Sequence, residues 1–319
     1  MIPSKKPQYP LSVASRAIGH LNEDRYALEH YTLSEANPKP SLLTMVTDGI
    51  GASRAGQVAA QLAVDAVTRL VGQSDASQPS GILQAAIIQA SRLILQRSET
   101  RREWKGMGST CLCAWLVGDR LYAASVGNAR LYLMRGERLQ QLNLPRLPEK
   151  NAPAPRKDAD GLHGYLGAKT PLDVDLRLHP ASGGRPSLRQ QGMRLRPNDR
   201  LLLCTSGLGD GLQPEEIGET LAASPIEDAA EALIQRGLKI GLPGDLTAIV
   251  IGMPPAIPPL QARRSQRRRR LWRAGLVALL VLLALLAWQG QPDTPDLLGP
   301  SSPTAIHTLT PLPTHTPSR

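Results

Sequence analysis

Phenylalanine is missing from all 319 residues, and aromatic side chains make up only 3% of the chain. Any core must therefore be packed from leucine, isoleucine, valine and alanine, without the large rings that often dominate one. Cysteine is nearly as scarce. Cys111, Cys113 and Cys204 lie inside apolar runs and match neither a zinc-ligand spacing nor a disulfide framework. They read as reduced, buried thiols in a reducing compartment. The N-terminus has no apolar run of the signal-peptide kind, so no cleaved leader is predicted.

Acid is the other shortage, but only locally. The net charge is +10, and residues 263–273, RRSQRRRRLWR, hold seven arginines and no acid. Setting these aside, with the net −1 of residues 289–319, leaves +4 on residues 1–262, an ordinary surface charge. That distribution argues against nucleic acid as a partner. The next fifteen residues, AGLVALLVLLALLAW (274–288), are apolar all round, as a surface helix cannot be. They fall short of the usual ~20 of a span. Trp272 and Trp288 nevertheless bracket the run at interface positions, and Arg273 can snorkel.

The expectation is a single-pass cell-membrane protein with a cytoplasmic domain in residues 1–253. A linker and arginine-rich juxtamembrane segment (254–273), a transmembrane helix (274–288) and a Pro/Thr-rich external tail (289–319) follow. The arginines from Arg263 to Arg273 would fix the topology and attract anionic lipid headgroups.

Within the domain, apolar runs bounded by turns predict strands at 42–47, 111–117, 120–126, 129–135, 200–205 and 246–252. Helical periodicity predicts helices at 56–71, 82–97, 214–222 and 226–238. Turn-like VGDR and VGNAR make 111–135 read as an antiparallel meander. Residues 143–192, rich in Pro, Gly and Arg, read as the least ordered part. Strands cluster apart from helices, which points to α+β with antiparallel sheets.

The chemistry is suggested by TMVTDGIGASRAG, where an apolar strand ends in Asp48-Gly49 before a helix. A dinucleotide loop is a poor reading, because Arg54 stands at the third glycine position and the expected downstream acid is missing. GAKT (167–170) likewise lacks the Gly-Lys pair of a phosphate loop. Five blocks in order fit better: LNEDRYAL, VTDGIGASRAG, the run from GMGST to RLQQL (106–142), LRPNDRLLLCTSGLGDGLQPEEI and GLPGDLTAIVI. Together, over roughly residues 12–252, they resemble the PPM-type, metal-dependent protein Ser/Thr phosphatases.

The resemblance implies a four-layer α/β/β/α sandwich with two Mg²⁺ or Mn²⁺ ions on carboxylate oxygens and an attacking water between them. It assigns metal-site roles to Glu23, Asp24, Asp48 and Gly49. Several positions depart from the pattern. Ser206 and Gly244 stand where ligand aspartates belong, Asn128 replaces an acid tied to an additional metal, and Gly19 replaces the phosphate-binding arginine. Three surviving carboxylates would face four positive charges, so Mg²⁺ or Mn²⁺ is expected to bind weakly or not at all. Asp245 and Asp210 are the candidate substitutes.

The leading expectation is a membrane-anchored, degenerate phosphatase-like module whose partner is a phosphoprotein or protein kinase at the inner membrane face. A working Mg/Mn-dependent Ser/Thr phosphatase is the alternative. A cytoplasmic counterweight for an exported stub is the third.

Overall fold

A run such as LLTMV has no polar face to turn to water, so it needs cover on both sides. The computed structural model, which describes residues 1–19, 21–51, 55–145 and 164–255, provides that cover by stacking two sheets. In chain order the elements are β1 (Ile2–Pro3), β2 (Leu11–Arg16), β3 (Arg25–Thr32), β4 (Pro40–Thr47), β5 (Gly49–Ile50), α1 (Ala55–Gly72), α2 (Pro79–Ser98), β6 (Gly108–Ser109), β7 (Cys111–Val117), β8 (Arg120–Val126), β9 (Arg130–Arg135) and β10 (Arg138–Gln141). There follow β11 (Met193–Arg194), β12 (Arg200–Cys204), α3 (Ser206–Gly209), α4 (Pro214–Ala223), α5 (Ile226–Lys239) and β13 (Leu246–Gly252).

Sheet A runs β1-β3-β4-β7-β8-β11 and sheet B runs β10-β9-β12-β13-β2, with β5 and β6 forming a short ribbon. Every pairing is antiparallel. Strand alternation sorts the side chains into three cores. On β4, Leu43 and Met45 face α1 and α2, while Leu42 and Val46 face the space between the sheets. On β12, Leu201 and Leu203 fill that same space, and Leu202 and Cys204 pack against α4 and α5. Each such fully buried leucine contributes about 1.5–3 kcal/mol, which sets the register firmly: slipping by one residue would exchange the faces. The result is the expected order of layers: helices, sheet A, sheet B, helices.

The helices follow from local chemistry. Alanines 55, 59, 60, 63 and 66 bring α1 close to its neighbours, and Pro79 starts α2 at a position where its missing N–H costs nothing. Helix α4 opens with a reciprocal capping box between Gln213 and Glu216.

The predicted meander needs correction. Strands β7 and β8 form a hairpin, but β9 pairs with β10 and β12 in the other sheet. After Gly127 the chain crosses between sheets, and the Asn143 side chain takes up Leu131 N–H (2.8 Å) and Ala129 C=O (2.9 Å) that a hairpin would have paired internally. The described residues within Met1–Ala256 form one compact unit, and Ile257–Arg319 lie outside the described residues. Apart from residues 254–255, the predicted linker, transmembrane helix and tail fall there. Among the described residues no helix is long and apolar enough to cross a membrane.

Candidate functional site

Sheet A delivers carboxylates to one end of the sandwich. Asp48 follows β4 directly, and its backbone is clamped: its N–H donates to Thr110 Oγ1 (2.9 Å), and its carbonyl accepts from Thr110 N–H (2.8 Å) and Ser109 Oγ (3.1 Å). Glu23 and Asp24 immediately precede β3, which pairs with β4 in sheet A. Asp24 is 3% exposed, and its Oδ2 accepts hydroxyl hydrogens from Thr205 (2.8 Å) and Thr247 (2.6 Å). Thr205 follows β12 and Thr247 lies on β13, so this one oxygen joins the two sheets. Asp24 Oδ1 is buried without a hydrogen-bond partner.

These acids share a field. Burial, then Asp48, then Asp245 push Glu23 up to about 7. Asp24 also rises to about 7, through burial and the charges of Asp48 and Asp245, against the lowering effect of the two threonine hydroxyls. A shared field is not a shared focus. Asp245 turns its Oδ1 to Ile18 N–H (2.8 Å) and its Oδ2 to Glu23 N–H (2.6 Å), bracing the loop that carries Glu23. Asp24 is committed to hydroxyls. Accordingly, among the described residues no three His, Cys, Asp or Glu side chains gather so as to hold a metal.

Glu23, Asp48 and the Gly49 carbonyl come nearest to a common pocket. Glu23 Oε1 and Gly49 O lie 2.8 and 3.0 Å from the point where a Cβ on Gly56 would stand. A Cβ on Gly49 would in turn sit 2.3 Å from Gly56 O, so only two glycines permit this approach. Across from them, Ser206 Oγ donates to Asp48 Oδ2 at 3.2 Å. Ser206 thus faces the carboxylate.

The remaining positions are dispersed. Asp210 pairs with Arg130. Gly244 adopts φ +88° and Gly19 φ +115°, each with open space where a side chain would project. Asn128 Oδ1 is buried and unpartnered. Sequence reasoning missed Thr205, Thr247, Thr110 and Gly56; the signal for the first two was a hydroxyl beside a flagged position, in CTSG and DLTA.

With this geometry in place, the relatives can be compared. The sequence profile of the family described as "Protein phosphatase 2C" matches residues 14–240. The "Serine/threonine protein phosphatase PstP" of Mycobacterium tuberculosis is 27% identical over 213 residues, 65% of this chain; the match spans only 40% of that relative's length. The "Serine/threonine phosphatase stp" of Listeria monocytogenes is 26% identical over 248 residues, covering 73% of this chain and 91% of the relative. A crystal structure of the PstP catalytic domain with two manganese ions superimposes with a TM-score of 0.59, at 24% identity, over 76% of this chain and 97% of that one. At that identity it speaks for the fold alone.

Proposed function

The chain belongs to the protein phosphatase 2C family, and on that premise we propose that it is a degenerate member whose domain acts as a binding or signalling module held at a membrane. The observation that carries this is the Ser206 hydroxyl on Asp48: a hydrogen-bond donor stands where the family pattern has an anionic ligand. A carboxylate there would help hold divalent cations, whereas a hydroxyl partly satisfies Asp48 without one. Gly244 contributes no side chain, and Asp245 is occupied with two amides. The donors do not fit a two-ion centre. At most they fit one weakly held Mg²⁺ or Mn²⁺ on Glu23, Asp48 and the Gly49 carbonyl, with water completing its shell. An ion there would polarise an oxygen ligand; the residues' own part is to hold that single position and brace its loop.

The partner class is a phosphoprotein or protein kinase at the inner membrane face, with residues 274–288 as anchor and 289–319 outside. Ile18 and Leu21 support a docking role, because both are more than a third exposed on the loop leading to Glu23. The second reading, a working Ser/Thr phosphatase, is favoured by the names of the relatives and by the convergence of Glu23 and Gly49 O. Purified full chain with Mn²⁺ and p-nitrophenyl phosphate or phosphopeptides separates them. Hydrolysis at background is expected; robust turnover abolished by Asp48→Ala would establish the second reading.

A further inference from the structure

Far along the chain from the acids, residues 177–200 hold six arginines and one acid, Asp199. Three of the six are accounted for. Arg177 pairs with Asp175 (2.6 Å), Arg194 with Asp119 (2.6 Å), and Arg200 donates to the Ser224 carbonyl (2.7 Å). Asp199 is taken by Arg135. Arg185, Arg189 and Arg196 are exposed, and among the described residues no carboxylate forms an ion pair with their guanidinium groups, although Arg196 N–H donates to Asp199 Oδ2 (2.7 Å). Exposed Arg120 lies on β8, the strand paired with β11, and exposed Arg138 on β10 of the other sheet, against exposed Glu137 and Asp173.

Between Arg185 and Arg189 stands Leu188, 59% exposed, the highest value among the large exposed apolar side chains described. Its exposure is not that of a loose loop. Leu188–Gln190 is a 3-10 turn capped by Ser187, whose hydroxyl accepts from Arg189 N–H (3.2 Å). Gln191 then locks the turn onto β8, exchanging two hydrogen bonds with Ala123 (3.1 and 2.7 Å) and donating to Leu176 C=O (2.6 Å). A leucine is thus exposed on a braced scaffold, with exposed Arg189 next to it in the chain and exposed Arg185 three residues before. An exposed apolar residue flanked in sequence by exposed arginines suits the boundary of headgroups and acyl chains. No residue from Arg185 to Arg196 is aromatic, and Tyr122, packed against Gly192, is only part-exposed, which disfavours single-stranded nucleic acid stacking on this edge.

The chain leaves the domain at this edge. Asn198 N–H donates to Met253 C=O (3.1 Å), and Met253 N–H to Asp199 C=O (2.8 Å). The arginine run begins at Arg263, ten residues later, a covalent reach of at most about 35 Å. We propose that the edge bearing Arg185, Leu188, Arg189 and Arg196 docks on an anionic lipid surface and so fixes how the domain faces the membrane. This rests on the anchored reading above, but uses side chains of the domain itself rather than the arginine run.

The test uses the full chain in nanodiscs of phosphatidylcholine, with and without phosphatidylglycerol, read by amide hydrogen exchange. Exchange over residues 185–196 should slow on the order of tenfold in the anionic discs only. High salt, Arg185→Glu with Arg189→Glu, and Leu188→Ser should each abolish the protection. Equal exchange in both discs, or protection that survives the charge reversal, overturns the proposal. So does equal protection when RNA is added to the neutral discs, because the edge would then be a general polyanion site. A chain that fails to enter discs refutes the anchor instead. Flotation with phosphatidylglycerol vesicles then decides the edge: wild type must float and the double reversal must not.

Discussion

The two sheets meet the candidate site with opposite chemistry. Sheet A brings acids, Glu23 and Asp24 before β3 and Asp48 after β4. Sheet B brings hydroxyls and a glycine, Thr205 and Ser206 after β12, Thr247 on β13 and Gly244 before it. Its one acid, Asp245, is spent on backbone amides. The hydroxyl hydrogen bonds therefore run from B to A, Thr205 and Thr247 to Asp24 and Ser206 to Asp48, while Glu23 N–H donates back to Asp245. In a two-ion centre both rims would have to be acceptors. The difference teaches that the packing scaffold does not dictate the site chemistry, since three complete cores enclose a rim that is acidic on one side and hydroxyl-bearing on the other.

The largest effects should come from the backbone contacts that set the rims. A Cβ on Gly49 would stand 2.3 Å from Gly56 O, and one on Gly207 would stand 2.1 Å from Asp245 O. Neither neighbour is a flexible side-chain end, so Gly49→Ala and Gly207→Ala should each cost about 3 kcal/mol, seen as a lower urea midpoint. Gly244→Ala meets open space and only the penalty of its positive φ, about 1 kcal/mol. Equal losses at all three would mean that the rims are not set by these contacts.

Next in size is the response to pH. Glu23 and Asp24 rise from ordinary values of 4.5 and 3.8 to about 7 on folding, so the native state holds protons that the unfolded chain releases. Their contribution to stability is fully present below about 4 and is lost as pH rises through 7. Metal-free protein should melt lower at pH 8 than at pH 6. Asp24→Asn should flatten that slope, removing one charge while leaving an acceptor for the threonines. A slope unchanged by Asp24→Asn would place the strain elsewhere.

The smallest effect belongs to the hydroxyl itself. Ser206→Ala removes one hydrogen bond to a partly exposed carboxylate and should cost about 1 kcal/mol or less by thermal melting. Thr247→Val should cost more, because Asp24 Oδ2 is buried and would keep only Thr205.

How far this was legible follows the same divide. Strands β4, β7, β12 and β13 are covered on both faces, so they read as unbroken apolar runs and were placed within a residue or two. Strands β2 and β3 were missed because Ser12, Ser15, Glu29 and His30 break up their apolar pattern. The crossing after Gly127 looked like a hairpin because the strands that β9 pairs with, β10 and β12, come later in the chain. The acids of sheet A were found through motif resemblance. The hydroxyls on Asp24 come from 181 and 223 residues away, and no local pattern announces such a pair.

Calorimetric titration of Mn²⁺ into the full chain, compared with Ser206→Asp combined with Gly244→Asp, tests the proposed loss of the two-ion centre most directly. Wild type should take up at most one ion, weakly. The double variant should bind more tightly and gain a metal-dependent rise in melting temperature, while melting lower than wild type without metal because its added carboxylates repel Asp48. Two ions bound to wild type and lost on Asp48→Ala, or a double variant that binds no better than wild type, would contradict the account.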